Sequence, residues 1–481
     1  MKYLKPTCLL FFLFGFCSVH ANIHLSNTNV GEVLIFPLYT VANDHNTLIS
    51  VSNTTQDFKA IKIRFREGQN AHNVLIFNVY LNPYDTWSAA LVLDGEVPQL
   101  ISNTADNSCA PFLSQPQVFL PFEVQQMEGA DTPLPEIQER MQTGIVEIYD
   151  MGQIDPFPNL FDQVGFSCDA VQAAWLPGGV WDTDPSDLLT SPKGGLKAEL
   201  MIVDVKNGYS FAQQATPFNG FYPDDAQPHT QPGDVEPNLA SATNTSLMIH
   251  NGEVFRTQWP TGFEAVSASI MASNVASDYI IDNGIDAFPE FVYSLPTKSF
   301  YIENGALAPF NTTFDSNAGA YCMLRNRYPF VYDRDGQSTE FLFPRKTGPL
   351  NTLAASGEAT PPYRLTPVPP APSRLCRSTN FATLNAEVTS NYQDSLLSPF
   401  QSDQFYVSII TSGTLFIDMG DMFTERGVDA DTQTQHRYTG LPVIGFTFQR
   451  FTNANAQPGL LATYAIRQDN TVARTVERVD P

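Results

Sequence analysis

The stretch from Leu48 to Leu93 constrains the fold more than any other part of the chain. It contains ISVSNTT, KAIKIRFREG and NVLIFNVYLNPYDTWSAALVL, a dense alternation of apolar and polar residues. Successive side chains of a strand point to opposite faces. In the strand from Ala60, Ile61, Ile63 and Phe65 therefore share one face, while Lys62, Arg64 and Arg66 share the other. The next strand groups Leu75, Phe77, Val79 and Leu81, and the one after it groups Trp87, Ala89, Leu91 and Leu93. Asn53-Thr54-Thr55 and Gly68-Gln69-Asn70 supply turns between them. Successive antiparallel strands with one buried face build a sandwich.

Landmarks of this half return in the same order later in the chain. Ser52-Asn53 is matched by Ser273-Asn274, and Phe77 to Pro83 by Phe291 to Pro296. A cysteine-bearing irregular region follows each. Thr143-Gly144 leading to Asp150-Met151-Gly152 is matched by Ser412-Gly413 leading to Asp418-Met419-Gly420. Gly195-Leu196 and Gly440-Leu441 each open a hairpin. The expected fold is all-β: two tandem Ig-like β-sandwich units with long irregular, disulfide-stapled insertions. The first unit spans residues 22–220 and the second 241–481. Residues 221–240 lie in a Pro-, Asp- and Gly-rich stretch without periodicity and are expected to be a linker or exposed loop. Ala354 to Pro372 is proline-rich, as a stiff surface loop or a ligand for a proline-recognising partner would be.

Lys2 and Lys5, the apolar run Leu9 to Phe16 and the small residues around Ala21 have the layout of a secretory signal peptide cleaved after Ala21. No stretch approaches the roughly 18 consecutive apolar residues of a membrane-spanning helix, so a soluble exported product is expected in the periplasm, at the cell surface or outside the cell. Plentiful aromatics (35 Phe, 18 Tyr) allow a large core, and a charged fraction of only 16% argues against disorder despite 36 Pro. Loss of Lys2 and Lys5 takes the net charge from -24 to -26. Such a surface repels nucleic-acid phosphates and anionic headgroups. Of six cysteines, four survive cleavage: Cys109, Cys168, Cys322 and Cys376. An even number in an oxidising compartment points to two disulfides with three pairings open; sequence neighbours would give Cys109–Cys168 and Cys322–Cys376.

No spacing identifies a catalyst. The histidines lack metal-ligand spacing, and G-x-S-x-G, H-E-x-x-H and phosphate-loop motifs are absent. A distributed triad is not visible in sequence, because its members need not be neighbours. Three acidic loops have oxygen-rich composition suited to Ca²⁺: Asp182, Asp184 and Asp187; Asp333, Asp335 and Glu340; Asp429 and Asp431. In the second, Arg334 and an early Gly336 break the EF-hand register, and for all three a solvated turn is the competing reading. Lys62, Arg64 and Arg66 form the one basic row on an acidic chain, either a solvent-facing strand protected by its charges or a site for an anionic glycan or acidic partner. Trp175 and Trp181 are candidates for stacking on sugar rings or for core packing.

The mature chain resembles a family of uncharacterised secreted proteins of Gram-negative (proteobacterial) bacteria, through GEVLIFPLYTV, ISVSNTT, FNVYLNPYDTW, YSLPTKSFY and GLPVIGF. The resemblance implies secretion and an all-β fold and carries over no activity or site residue. The expected role is non-enzymatic, in adhesion, matrix or structure, with a protein or glycan partner at the cell surface. The alternative is a carbohydrate-binding or carbohydrate-active secreted protein.

Overall fold

The computed structural model describes residues 21–103, 108–121, 124–125, 133–156, 160–161, 165–282, 284–305, 308–310, 313–315, 320–324, 330–339, 341–346, 363–366, 374–385, 395–400, 403–407, 412–419, 424–457 and 460–479. The fold is all-β, with sheets packed face to face and, among the described residues, every strand pair antiparallel but one, Thr379–Asn385 with Asp403–Val407, which is parallel.

The first strands are β1 (His24–Leu25), β2 (Val33–Thr40), β3 (His45–Asn53), β4 (Phe58–Glu67), β5 (Asn73–Leu81), β6 (Thr86–Asp94) and β7 (Val97–Ser102). They continue with β8 (Gln117–Val118), β9 (Thr143–Ile154), β10 (Leu189–Thr190), β11 (Leu196–Asp204), β12 (Tyr209–Gln214) and β13 (Thr216–Asn219). Sheet one has the order β1-β13-β2-β9-β4-β5, with β10 on β9; sheet two has the order β12-β11-β3-β6-β7-β8. The two faces meet in one core, where Phe36, Ile63 and Val146 of sheet one pack with Val51, Trp87 and Leu200 of sheet two. Pro37 sits where the β2–β9 register shifts between Phe36 and Tyr39, so its missing N–H interrupts no ladder bond.

Sheet one is covered on its other face too. Every residue of β2 and β9, and all but the first of β4, is buried. Val33, Ile35, Ile145 and Tyr149 pack against Phe221, Leu239 and the helix Gly262–Ile270. That helix is started by a capping box between Thr261 and Glu264. Farther along, Tyr80 and Met151 pack with Trp175, Trp181 and the helix Cys168–Ala174. The Cys109–Cys168 disulfide ties that helix to β5, whose Tyr80 exchanges backbone bonds with Cys109. Residues 221–240, expected as a linker or exposed loop, instead supply buried Phe221, Tyr222, His229 and Leu239 to this cover.

The second half begins with β14 (Thr245–His250), β15 (Glu253–Gln258), β16 (Met271–Ala272), β17 (Asn274–Tyr279) and β18 (Phe288–Ser294). Then come β19 (Thr313–Asp315), β20 (Ala320–Leu324), β21 (Phe330–Asp333), β22 (Ser338–Thr339), β23 (Phe341–Lys346), β24 (Tyr363–Thr366) and β25 (Arg374–Leu375). The remainder are β26 (Thr379–Asn385), β27 (Asp403–Val407), β28 (Gly413–Asp418), β29 (Thr424–Asp429), β30 (Gln435–Thr439) and β31 (Leu441–Pro442). The last are β32 (Ile444–Gln457), β33 (Leu460–Asp469), β34 (Thr471–Ala473) and β35 (Thr475–Val479). Sheet three is β14-β15-β29-β30-β35, sheet four β22-β21-β28-β17-β34 and sheet five β24-β23-β27-β26-β18-β32-β33. Small sheets β16-β31 and β19-β20-β25 complete the set, the latter crossed by the Cys322–Cys376 disulfide. Val275 and Leu415 of sheet four share a core with Phe291 and Ala382 of sheet five.

Strand orders in the two halves correspond. The run β13-β2-β9-β4-β5 parallels β34-β17-β28-β21-β22, and β12-β11-β3-β6 parallels β33-β32-β18-β26, in the same chain order and with antiparallel pairing throughout. Gly144 of β9 and Gly413 of β28 sit alike: an added Cβ would lie 1.9 Å from Arg66 O in one and 2.0 Å from Tyr332 O in the other, beside the rings of Tyr39 and Tyr279. The matched landmarks around Thr143 and Ser412, and those at Gly195 and Gly440, thus hold equivalent places. Two other landmarks do not. Ser52-Asn53 closes β3, whereas Ser273-Asn274 leads into β17, the counterpart of β2. Phe77 lies in edge strand β5, whereas Phe291 lies in β18 between β26 and β32.

The halves are not held apart. Val292, Phe381, Phe446 and Phe448 of sheet five join the core of the first half, with Phe211 and Phe448 at a 4.8 Å ring separation. Ser378 and Thr379 N–H groups donate to Gln69 and Gly68 carbonyls, and Thr40 Oγ1 donates to Leu397 O.

Candidate functional site

The basic row was the first candidate, and its placement corrects the expectation that it faces solvent or an outside anion. Lys62, Arg64 and Arg66 are 0%, 3% and 3% exposed. The second half supplies part of the cover: Arg66 Nη1 donates to Pro296 O at 3.1 Å and Nη2 to Ser299 Oγ. Their counter-ion is internal. Glu147 of the neighbouring β9 accepts from Arg64 Nη1 at 3.1 Å, Arg66 Nη1 at 2.6 Å and Tyr149 OH at 2.8 Å. Burial pushes the Glu147 carboxyl up, but Arg66 and then Arg64 hold it net below the ordinary value. Lys62 Nζ donates to Thr230 Oγ1 and to the carbonyls of Gln231, Asp234 and Glu236, so it anchors the segment that covers it. Burial lowers its pKa to about 7.

Folding also assembles distributed polar groups that no spacing could reveal. Thr257 Oγ1, His436 Nδ1 and Tyr438 OH form 2.8 Å contacts, with Asp429 Oδ2 3.3 Å from His436 Nε2. This has the membership of a nucleophile–base–acid triad. Thr257 and His436 are both 0% exposed, however, so no substrate reaches Oγ1 unless the sheet opens. His229 is similarly enclosed: Nε2 lies 2.9 Å from Tyr80 OH, Nδ1 faces Pro185 O, and burial lowers its pKa to about 3. Trp175 and Trp181 close around it and belong to the core, not to a sugar platform.

The acidic loops spend their oxygens on their own turns. Asp182 accepts from Gly178 N–H, Asp184 from Ser186 and Asp187 from Leu188. Asp333 accepts from the N–H groups of Asp335 and Gln337, while Glu340 lies outside the described residues. Asp429 accepts from Asp431 and Thr432 N–H, and Asp431 pairs with Arg256 at 3.2 Å. Among the described residues, no group of three His, Cys, Asp or Glu side chains is placed to hold a metal ion.

The outer face of sheet two is open. Strand register sets Met201, Leu48, Ala90 and Ile101 side by side across β11, β3, β6 and β7. All four point away from the sandwich core, since their neighbours Leu200, Ile49, Ala89 and Leu100 point into it. Leu48 is 41% and Ile101 44% exposed. The adjacent row is polar, with Glu199, Ser50 and Ser88 in register. Together they form a shallow groove of about 470 Å³ whose lining contains no aromatic ring. A continuous aliphatic row on the solvent side of an antiparallel sheet departs from polar-out alternation. Sequence alternation assigned Ala89 and Leu91 to the core; it did not flag Leu48, Ala90 and Ile101, because their continuity exists only across strands. No family model, curated protein or solved structure matches the chain.

Proposed function

We propose that the protein is exported and non-enzymatic, and acts in adhesion or as a structural subunit by binding a partner protein through the open face of sheet two. The observation that carries this reading is the cross-strand row Met201–Leu48–Ala90–Ile101, aliphatic and bordered by serines. Such a row gains from burial against another apolar surface, at about 25 cal/mol per Å² removed from water. Carbohydrate recognition, the alternative, finds less support: sugar rings are stacked on aromatic faces, and this groove offers none. The matching strand orders support reading the two sheet pairs as related Ig-like sandwich units. Two disulfides and the leader-like N-terminus support export.

The test uses the full chain expressed in its native export pathway, with Leu48→Asp and Ile101→Asp combined. Both side chains are partly exposed, so the melting temperature is expected to stay within about 1 °C, as for surface changes. Retention on cells or extracellular matrix is expected to fall at least about tenfold, the equivalent of 1.4 kcal/mol. Undiminished retention, or glycan-array binding that survives both changes, would overturn the proposal.

A further inference from the structure

A second cleft, which shares no lining residue with that face, lies where β1 and β14 part. Ile23 still pairs in parallel with β14: its N–H donates to Thr245 O at 2.8 Å and its carbonyl accepts from Leu247 N–H at 2.9 Å. Past this point β1 belongs to β13, with Ser26 N–H donating to Pro217 O at 2.9 Å. Backbone groups alternate sides along a strand. Leu25 therefore turns its N–H and C=O toward β14. On β14, His250 and Glu253 are paired at the end of the β14–β15 hairpin, and Ile249 turns its own N–H and C=O back toward β1. Among the described residues, neither Leu25 nor Ile249 has a backbone partner on the cleft side.

The cleft measures about 410 Å³ and is lined by Leu25, Leu247 and Ile249 together with polar His24, Asn27 and Asn219. Arg474 also lines the cleft, and its Nη1 donates to Ser269 O at 2.6 Å, at the end of helix Gly262–Ile270. A guanidinium has five N–H donors, and Arg474 forms no ion pair with any described carboxylate. Two strand edges with no backbone partner on the cleft side and one cation with no carboxylate partner, among the described residues, lie beside three aliphatic side chains and belong together chemically. We propose that this cleft binds an extended peptide with aliphatic side chains and a free C-terminal carboxylate. The main chain would add to the open edges of β1 and β14, and the carboxylate would pair with Arg474. The inference is independent of the sheet-two surface.

The experiment selects short peptides with free C-termini from a C-terminal display library on the full mature chain. Enriched peptides should bind at least about tenfold more weakly as C-terminal amides or after N-methylation of alternate residues, which remove the carboxylate and the strand bonds. Arg474→Gln should weaken binding similarly. Because Arg474 also caps a helix, Ile249→Glu provides a second variant: Ile249 is 72% exposed, so the fold should tolerate it while its charge repels the carboxylate. Failure to enrich peptides over the Ile249→Glu protein overturns the proposal, as does binding indifferent to amidation, N-methylation or either variant.

Discussion

Replacing Glu147 by Gln tests whether the basic row is an internal structural device. Glu147 is fully buried between two guanidiniums, with contacts of 3.1 and 2.6 Å. Removing one partner of a buried pair strands the others without a counter-charge and costs about 3–5 kcal/mol. Unfolding entropy is about 2.1 cal/mol/K per residue. If both halves melt together, roughly 460 residues give about 1 kcal/mol/K, and the melting temperature should fall by about 3–5 °C. If only residues 22–220 melt as a unit, roughly 200 residues give about 0.4 kcal/mol/K and a fall of about 7–12 °C. Calorimetry at pH 7 therefore reads both the cost and the size of the cooperative unit. The pH dependence has a definite sign. The folded-state pKa of Glu147 lies below its ordinary 4.5, so its stabilisation is complete above that value and is lost as pH falls through the folded one. Wild type and E147Q should converge in acid. A loss below about 1 kcal/mol at pH 7, as for an exposed pair, would refute the buried-network reasoning.

Lys62 and Lys298 are both lowered by burial from 10.5 to about 7. Between those values the unfolded chain binds more protons than the folded one, so stability should rise with pH, by at most about 1.4 kcal/mol per pH unit for each lysine. Lys62→Met and Lys298→Met should each flatten the rise, read from urea midpoints at neutral and alkaline pH. A second expectation concerns the expected boundary. Residues 22–220 expressed alone would bare Val33, Ile35, Ile145 and Tyr149 together with Arg66, so the fragment should aggregate or bind a hydrophobic dye; a soluble, cooperatively melting fragment would contradict this.

Strand pattern was legible where one face of a strand is apolar. Ile61, Ile63 and Phe65 stand in the core, as alternation requires. The opposite face misled because a buried basic row has the same local pattern as a solvent-facing one. What distinguishes them is Glu147, more than eighty residues away in sequence from Arg64 and Arg66, and an acidic residue within an alternating strand carries no mark of its partner. The same holds for residues 221–240. Their Pro, Asp and Gly content reads as a linker, yet irregular backbone is also what can turn several carbonyls onto one ammonium. The neighbour pairing of the cysteines, by contrast, is the one formed, since each pair staples an insertion near the strands it leaves.

These particulars connect fold and function through sheet one. A sheet exposed on one face could place a basic row at an external surface; a sheet covered on both faces must neutralise it internally. Here Glu147 supplies the charge, Thr230 and three carbonyls hold Lys62, and Pro296 and Ser299 bring the second half onto Arg66. The basic row thus serves to fasten the cover and the second half to the first. The two surfaces proposed for recognition draw on other groups: the uncharged aliphatic row on sheet two, and strand edges beside Arg474, whose guanidinium would pair with a carboxylate.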